Sequence, residues 1–364
     1  NTDTYNVAMG YHAGRDVTTG IRNTILGSLA ADALTTGGRN VSLGYAAHSA
    51  DTLGSRSVAI GYEALGTQNF TTATDNYNIG IGYSAGNVLT TGINNIFIGG
   101  LAGDATTDAD DNVAVGMQAL STNTLGSAST AIGKDALHDQ NPATATLMYN
   151  VAVGYHAGRL ISTGVKNVIV GALAGDTLTT GERNVYVGHT SGDRATTGTF
   201  NTGVGAETLF FNVAGNKNTA VGEAALFAMT AATSTDTFNT AVGFNSGSAI
   251  TSGTKNVLIG ALAGDALTDS EQNVAVGYGA LTSDTLGINS TAIGNNALEN
   301  QNFTTATDSF NVAVGVNAGN GVTTGRFNTL IGGLAGDAMQ TAEHNTAVGY
   351  AALGAASGSG DTLN

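Results

Sequence analysis

The apolar positions of this chain recur at a fixed step. A five-residue phrase close to Asn-Val-Ala-Val-Gly is repeated twenty times. It begins at Asn6, Asn23, Asn40, Ser57, Asn78, Asn95, Asn112, Ser129, Asn150, Asn167, Asn184, Asn201, Asn218, Asn239, Asn256, Asn273, Ser290, Asn311, Asn328 and Asn345. The step is 17 residues, except for four steps of 21. With the asparagine as slot 0, slot +1 is Val, Ile or Thr, slot +3 is aliphatic or Met, and slot +4 is always Gly. Such alternation predicts a short strand with +1 and +3 on one face and +2 on the other. Seventeen residues are too few for a strand–helix–strand unit. The pattern therefore predicts an all-β, parallel β-solenoid (β-roll) of about 20 coils of 17 or 21 residues. Slots +1 and +3 are expected to face into each coil and +2 to face out. The glycine at +4 is expected where a side chain would clash or φ is positive. Slot +7 is Ala in all copies but three, Ser191, Thr208 and Ser246, which predicts a tight interior corner. Rungs about 4.8 Å apart predict a rod of roughly 95 Å, with the asparagines forming an amide ladder bonded to the next coil or the adjoining turn.

The 21-residue steps end at Asn78, Asn150, Asn239 and Asn311 and group the coils into fours. The chain reads as one repeat array over 1–364, with super-repeats at about 6–77, 78–149, 150–238 (one extra coil), 239–310 and, in part, 311–364. Each long coil carries a loop such as Gln68–Asp75, repeated as Gln301–Asp308, and the only proline, Pro142, lies in one of them. Tyr5, Tyr77, Tyr149, Phe238 and Phe310 precede the first coil of each block and are expected to plug the widened coil. The chain opens inside a repeat, and Ser359-Gly360-Asp361-Thr362-Leu363-Asn364 brings no capping element. Both ends predict a piece of a longer protein.

Slot +2 is mostly apolar or Gly, with Ser42 and Tyr186 as exceptions, and becomes large at Ile25, Phe97, Ile169, Leu258 and Leu330. If +2 faces outward, it forms an apolar stripe that a lone chain would not expose. A 17-residue coil also encloses little core. The expectation is a parallel homo-oligomer, most simply an intertwined or side-by-side homotrimer, with those five residues at its interface.

Ser57-Val58-Ala59-Ile60-Gly61, Ser129-Thr130-Ala131-Ile132-Gly133 and Ser290-Thr291-Ala292-Ile293-Gly294 carry a resemblance. They resemble the head repeat of trimeric autotransporter adhesins, whose usual motif is Asn-Ser-Val-Ala-Ile-Gly. The phrase from Asn150 to Gly158 is also similar to repeats of tail-fibre-like proteins of marine phages and bacteria. The resemblance runs through the whole chain. It implies a left-handed, trimeric parallel β-roll that binds matrix or host surfaces. The chain departs from the adhesin pattern in its longer coil and its blocks of four, and its sequence shows no neck, stalk or anchor.

Composition narrows the chemistry. The net charge of −15 argues against nucleic acid and against an anionic membrane surface. No segment has the length and apolarity of a transmembrane span, and the chain has no cysteine for disulfides or thiol chemistry. His12, His48, His138, His156, His189 and His344 do not cluster at zinc spacing. Asp32, Asp104, Asp176, Asp265 and Asp337 share slot +9 but recur mostly every fourth coil, so turn capping is favoured over metal. No cofactor is expected. Calcium at such an aspartate, completed by Asp108 or Asp110, is left open but not indicated. Tyr11, Tyr45, Tyr62, Tyr83, Tyr155, Phe244, Tyr278 and Tyr350 share slot +5 and are the candidate binding residues, because exposed rings stack on sugars or contact proteins.

The leading expectation is a non-enzymatic, extracellular fibre segment of a cell-surface adhesin or virion tail fibre. Its partners would be its own copies and an unidentified cell-surface, matrix or glycan target. Thr18-Thr19, Thr35-Thr36, Thr90-Thr91 and Thr179-Thr180 leave an ice- or glycan-binding solenoid as one alternative. A β-helical polysaccharide-degrading enzyme is another, although such enzymes pair acids in a groove.

Overall fold

The computed structural model describes residues 3–231 and 233–355, so the stretch 359–364 noted above lies outside the described residues. The chain divides into two compact units, Asn1–Gly181 and Glu182–Asn364. Each is an all-β parallel solenoid with, among the described residues, ten three-residue strands and four two-residue strands. Together the units make about twenty turns, and no helix occurs among the described residues.

In the first unit, Val7–Met9, Thr24–Leu26 and Val41–Leu43 pair in parallel, with Val7 opposite Thr24 and Thr24 opposite Val41. Across the first long coil the partner of Val58 is Ile79. There a second pairing, Gly54–Ser55 with Thr74–Asp75, closes the other side of the coil. The second unit repeats both devices. Val185 pairs with Thr202, Thr219 with Thr240, and Gly215–Asn216 with Thr235–Asp236.

The strands face the opposite way from the sequence expectation. Slot +2 points into the coil: Ile25, Phe97, Ile169, Leu258 and Leu330 are at most 1% exposed. Slots +1 and +3 point out, as in the half-exposed Val113 and Val115 on either side of buried Ala114. A three-residue strand must place one residue on one face and two on the other. The coil interior is narrow enough to take only the single one. The five large +2 residues are therefore core, not an oligomer surface.

Core volume is shared between +2 and +8. A Cβ on Gly86 would lie 2.7 Å from Phe97 Cδ2, and one on Gly192 would lie 2.7 Å from Tyr186 Cε2. In later coils where +2 is Ala, as in Ala59 and Ala114, slot +8 is the buried Leu65 or Leu120; where both slots are small, as at Ala152 and Gly158, Ile161 and Leu137 close over the glycine. Interior space is thus shared among these columns and their neighbours in adjoining coils, as close packing requires. Slot +11 completes the interior with Leu34, Leu89 and Leu178 in the second or first coil of a block. In most later coils the same slot is polar: Asp51, Asn123, Asn212 and Asp284, then Gln68, Gln140 and Gln301, all buried; Ala195 and Met229 keep it apolar in the third block.

Nearly all slot +4 glycines meet both conditions expected of them, Gly349 having open space in place of a close neighbour. Gly10 has φ 138°, and a Cβ there would lie 2.5 Å from the Gly27 carbonyl oxygen of the next coil. Three further slots, −1, +6 and +8, turn through left-handed backbone even where they are not glycine, as at Arg22 (φ 61°), Ala46 (φ 51°) and Leu65 (φ 49°). Such residues are normally rare. Here the stacked ladder holds each of these corners in the same geometry.

The asparagine ladder is built as expected. Asn23 Nδ2 donates to the Gly37 carbonyl (3.0 Å), and Asn23 Oδ1 accepts from the Asn40 amide (2.9 Å). Serine replaces it at Ser57, Ser129 and Ser290, each in a long coil. At the first of these, Ser57 Oγ donates to Asn76 Oδ1 (2.5 Å), and the amide of Asn78 donates to that same oxygen (3.2 Å).

The block-leading aromatics do not plug the widened coils. Tyr77, Tyr149, Phe238 and Phe310 are about half exposed and Tyr5 more so. Their place inside is taken by Phe70 and Phe303 from the long loops and by Met148, all buried. The left-handed backbone at slot −1 turns those side chains outward.

Candidate binding surfaces

Two outward features run along each unit. The first is the strip formed by slots +1 and +3. All forty of these positions are Val, Ile, Leu, Met or Thr. Within the stacks Ile60, Ile98, Ile259 and Ile331 remain 36–40% exposed. The strip carries no charge although the chain bears −15.

The second feature is the slot +5 column beside it, which holds the candidate aromatics. All eight are exposed, from Tyr62 at 44% to Tyr350 at 81%. Parallel stacking brings three of them together: the rings of Tyr45 and Tyr62 are 5.2 Å apart, and those of Tyr62 and Tyr83 are 5.5 Å apart, each pair stacked in nearly parallel planes. Tyr11 stacks instead on His12 and Tyr155 on His156. Phe244, Tyr278 and Tyr350 lie on other rungs and join neither group. The Glu63 carboxylate accepts from Tyr62 and raises that phenol above its ordinary range.

A third column, slot −1, escaped the sequence reading. It carries seven of the twelve Lys and Arg residues, among them Arg22, Arg39, Arg56 and Lys217. Aromatic residues alternate with them. The Arg56 guanidinium sits 5.3 Å from the centre of the Tyr77 ring and Lys217 Nζ 5.1 Å from that of Phe238. The signal was present as alternating basic and aromatic residues at one slot, but the expectation that the aromatics were interior concealed it.

The polar candidates are engaged within the fold. Arg159 binds Asp176 through two bonds (2.8 and 3.0 Å), and Ser121 Oγ donates to Asp104 Oδ1 (2.6 Å). Hydroxyl bonds from Thr90 and Thr91 hold the Asp108 carboxyl below its usual range, and Asp110 Oδ1 accepts from the Ile93 amide. Among the described residues no three His, Cys, Asp or Glu side chains gather as metal ligands. The threonine pairs are also partly spent: Thr18 and Thr35 donate to the carbonyls of Thr35 and Thr52 on the following coils. No helix among the described residues is long and apolar enough to cross a membrane.

One buried titratable group has a partner that its copies lack. His48 Nε2 lies 2.8 Å from Asp51 Oδ2, with both side chains fully buried. Gln68 Nε2 donates to the same carboxylate oxygen (2.8 Å) and the Gly54 amide to the other (3.0 Å). Burial pushes the Asp51 carboxyl up, but His48, Gln68 and Gly54 together outweigh it and hold the group below its ordinary value. At the matching Asp284 there is no histidine. Burial prevails, and the carboxyl is raised despite bonds from Gln301, Phe303 and Gly287. In the second unit Tyr186 is also fully buried. Its hydroxyl makes no well-formed hydrogen bond although the Asn201 amide lies near, and burial raises its phenol above the ordinary range.

No model of a known protein family matches the chain, and no curated protein matches it.

Proposed function

We propose that this chain is a non-enzymatic structural segment of an extracellular fibre, assembled from parallel copies of itself, most simply three. Its 17- and 21-residue coils would act as rungs that keep neighbouring copies in register. The fibre would belong to a cell-surface adhesin or a virion tail fibre and hold a binding region towards a host or matrix surface. It would need no cofactor, nucleic acid or membrane span.

The observation that carries this reading is the uncharged +1/+3 strip. Flat, β-branched and repeated at one spacing, it is self-complementary to another copy in the same register. Burying it removes an apolar patch that a lone soluble chain seldom exposes. The ends of the strands favour cyclic packing. Slot −1 is mainly basic and aromatic, whereas slots +5 and +6 bring Glu63, Asp135 and Glu223. In a closed ring the basic flank of each copy meets the acidic flank of the next. The interface therefore moves from slot +2 to slots +1 and +3.

Sedimentation equilibrium of the chain at micromolar concentration tests the reading. A mass of three chains is expected; a single 36.2 kDa species would overturn it.

A further inference from the structure

Open recesses recur at the long coils, between slots +6 and +9. One in the first unit, of about 260 Å³, is lined by Ala46, Ser49, Glu63, Gly66, Thr67 and Asn87. A second, of about 190 Å³, lies among Gln118, Asp135, His138, His156 and Arg159. There the charges are already paired: His156 Nε2 lies 3.0 Å from Asp135, and His138 Nδ1 lies 2.5 Å from Asp139.

The recess of the second unit differs in size and chemistry. It measures about 340 Å³ and is lined by Glu207, Ala224, Phe227, Asn245, Ser248 and Ala249. Slot +9 is polar, charged or glycine in every other coil but Phe at 210 and 227. Phe227 stacks on Phe210 at 5.3 Å, and Phe211 packs edge-on against both. The Arg194 guanidinium lies 5.8 Å from the centre of the Phe210 ring and 5.5 Å from that of Phe211. The wall is thus fixed before any ligand arrives. Along slot +6, Ala224 leaves a gap between Glu207 and Asn245. These two are two rungs apart, roughly 9–10 Å. Among the described residues neither the Glu207 carboxylate nor the Asn245 side-chain amide bonds to the protein. The three coils that depart from Ala at slot +7, at Ser191, Thr208 and Ser246, flank the same place. In a chain built by repetition, these departures coincide with the largest of the three recesses described.

We propose that this recess binds a neutral pyranose sugar with equatorial hydroxyls. Such a ring has flat C–H faces, one of which covers Phe227, and a rim of hydroxyls. The rim hydroxyls donate to the Glu207 carboxylate and exchange hydrogen bonds with the Asn245 amide; Ser248 Oγ accepts another. The volume lies at the lower end for small-molecule sites, enough for one or two rings. The Glu207 charge turns away acidic sugars. This site uses slots +6 and +9, not the +1/+3 strip, so it can fail while self-association stands, and the reverse.

Saturation-transfer NMR on the full chain, with cellohexaose and hexagalacturonate as probes, tests the proposal. Transfer to cellohexaose ring protons is expected, and none to hexagalacturonate. Phe227→Ser installs the residue found at slot +9 in Ser49 and Ser121 and should weaken cellohexaose binding by about tenfold, as removal of a stacking face implies. Glu207→Gln alters an exposed side chain that the fold does not use. It should weaken cellohexaose binding severalfold. Phe244→Ser, in the slot +5 column, should leave binding unchanged. Absence of transfer to cellohexaose at millimolar concentration, or equal binding by wild type and Glu207→Gln, would overturn the proposal.

Discussion

His48 and Asp51 form a fully buried pair 2.8 Å apart, whereas Asp284, in the matching slot of the second unit, faces Gln301 with no cation near it. The same chain thus holds a compensated and an uncompensated buried carboxylate. For Asp51 the folded pKa lies below the unfolded one. Its stabilisation is present at neutral pH and is lost as pH falls below about 4 through the folded value. For Asp284 the folded pKa is raised, so ionisation opposes folding as pH climbs above about 4. Asp284→Asn copies Asn123 and Asn212 and should stabilise its coil at pH 7 by about 0.5–1.5 kcal/mol, the net worth of one hydrogen bond. The gain should vanish near pH 3. Asp51→Asn should instead cost about 1–3 kcal/mol, by leaving a buried partner poorly satisfied. His48→Leu added to Asp51→Asn should recover most of it, because Leu120 with Asn123 is that combination in another coil. Hydrogen exchange at the Gly54 and Gly287 amides, which donate to these carboxylates, reads each coil separately.

Phe97 and Gly103 make a second natural pair, one filling the space the other leaves empty. Phe97→Ala should cost about 3–5 kcal/mol through the cavity it opens. Gly103→Leu alone should also destabilise, since its side chain would enter the Phe97 ring. Together they reproduce the Ala114/Leu120 arrangement, and Leu120 already sits at φ 53°. The double variant should therefore be more stable than Phe97→Ala, with a coupling of about 1–3 kcal/mol in a double-mutant cycle followed by thermal unfolding. Additive losses would show that the two columns do not share volume.

The asparagine ladder is redundant in number but not locally. Asn112 Nδ2 donates to the Gly126 carbonyl (3.0 Å) and its Oδ1 accepts from the Ser129 amide (3.0 Å), all out of water. Asn112→Ala orphans the Ser129 amide, at a cost of about 1–3 kcal/mol, while the Gly126 carbonyl keeps the Asn123 side-chain amide (2.7 Å). Faster exchange of the Ser129 amide, with distant rungs unchanged, is the expected signature. Exchange that accelerates equally along the unit would mean that the coils open only together.

Much of this architecture could be read from spacing alone, because stacking forces every coil to repeat its backbone. The strand at Asn-Val-Ala-Val-Gly, the crowded glycine at +4, the alanine corner at +7 and the amide ladder follow directly. The direction of slot +2 did not. Val113 and Val115 look like core, and Ala114 like a small surface residue, when burial is judged by hydrophobicity. A coil this thin admits only one side chain from the strand, so small size at Ala114 was the mark of the interior. The same inversion misplaced Tyr77 and Phe238, whose left-handed backbone turns them outward. The exposure of the slot +5 aromatics was legible because they follow the +4 turn. The recess at Phe227 was not, since it arises from Ala224 between two longer neighbours, a contrast across rungs that no single repeat displays.

The outward strip offers the most direct intervention. Val115 and Ile132 lie on adjacent rungs and pair in register, and both side chains meet water in the single chain. Lysine at a partly exposed strand position keeps its stem on the apolar surface and its ammonium in solvent. Val115→Lys/Ile132→Lys should therefore change the stability of an isolated chain by no more than about 1 kcal/mol. At an interface between identical copies the outcome differs. Parallel packing brings the same residues of each copy together, so the new ammonium groups would be desolvated beside one another. Like-charge juxtaposition of that kind costs several kcal/mol. The variant should sediment as a single folded chain with an unchanged far-ultraviolet circular dichroism spectrum. Val115→Thr/Ile132→Val, confined to residue types already present in the strip, should assemble like the wild type. If the lysine variant keeps the wild-type mass, the copies do not meet through these strands.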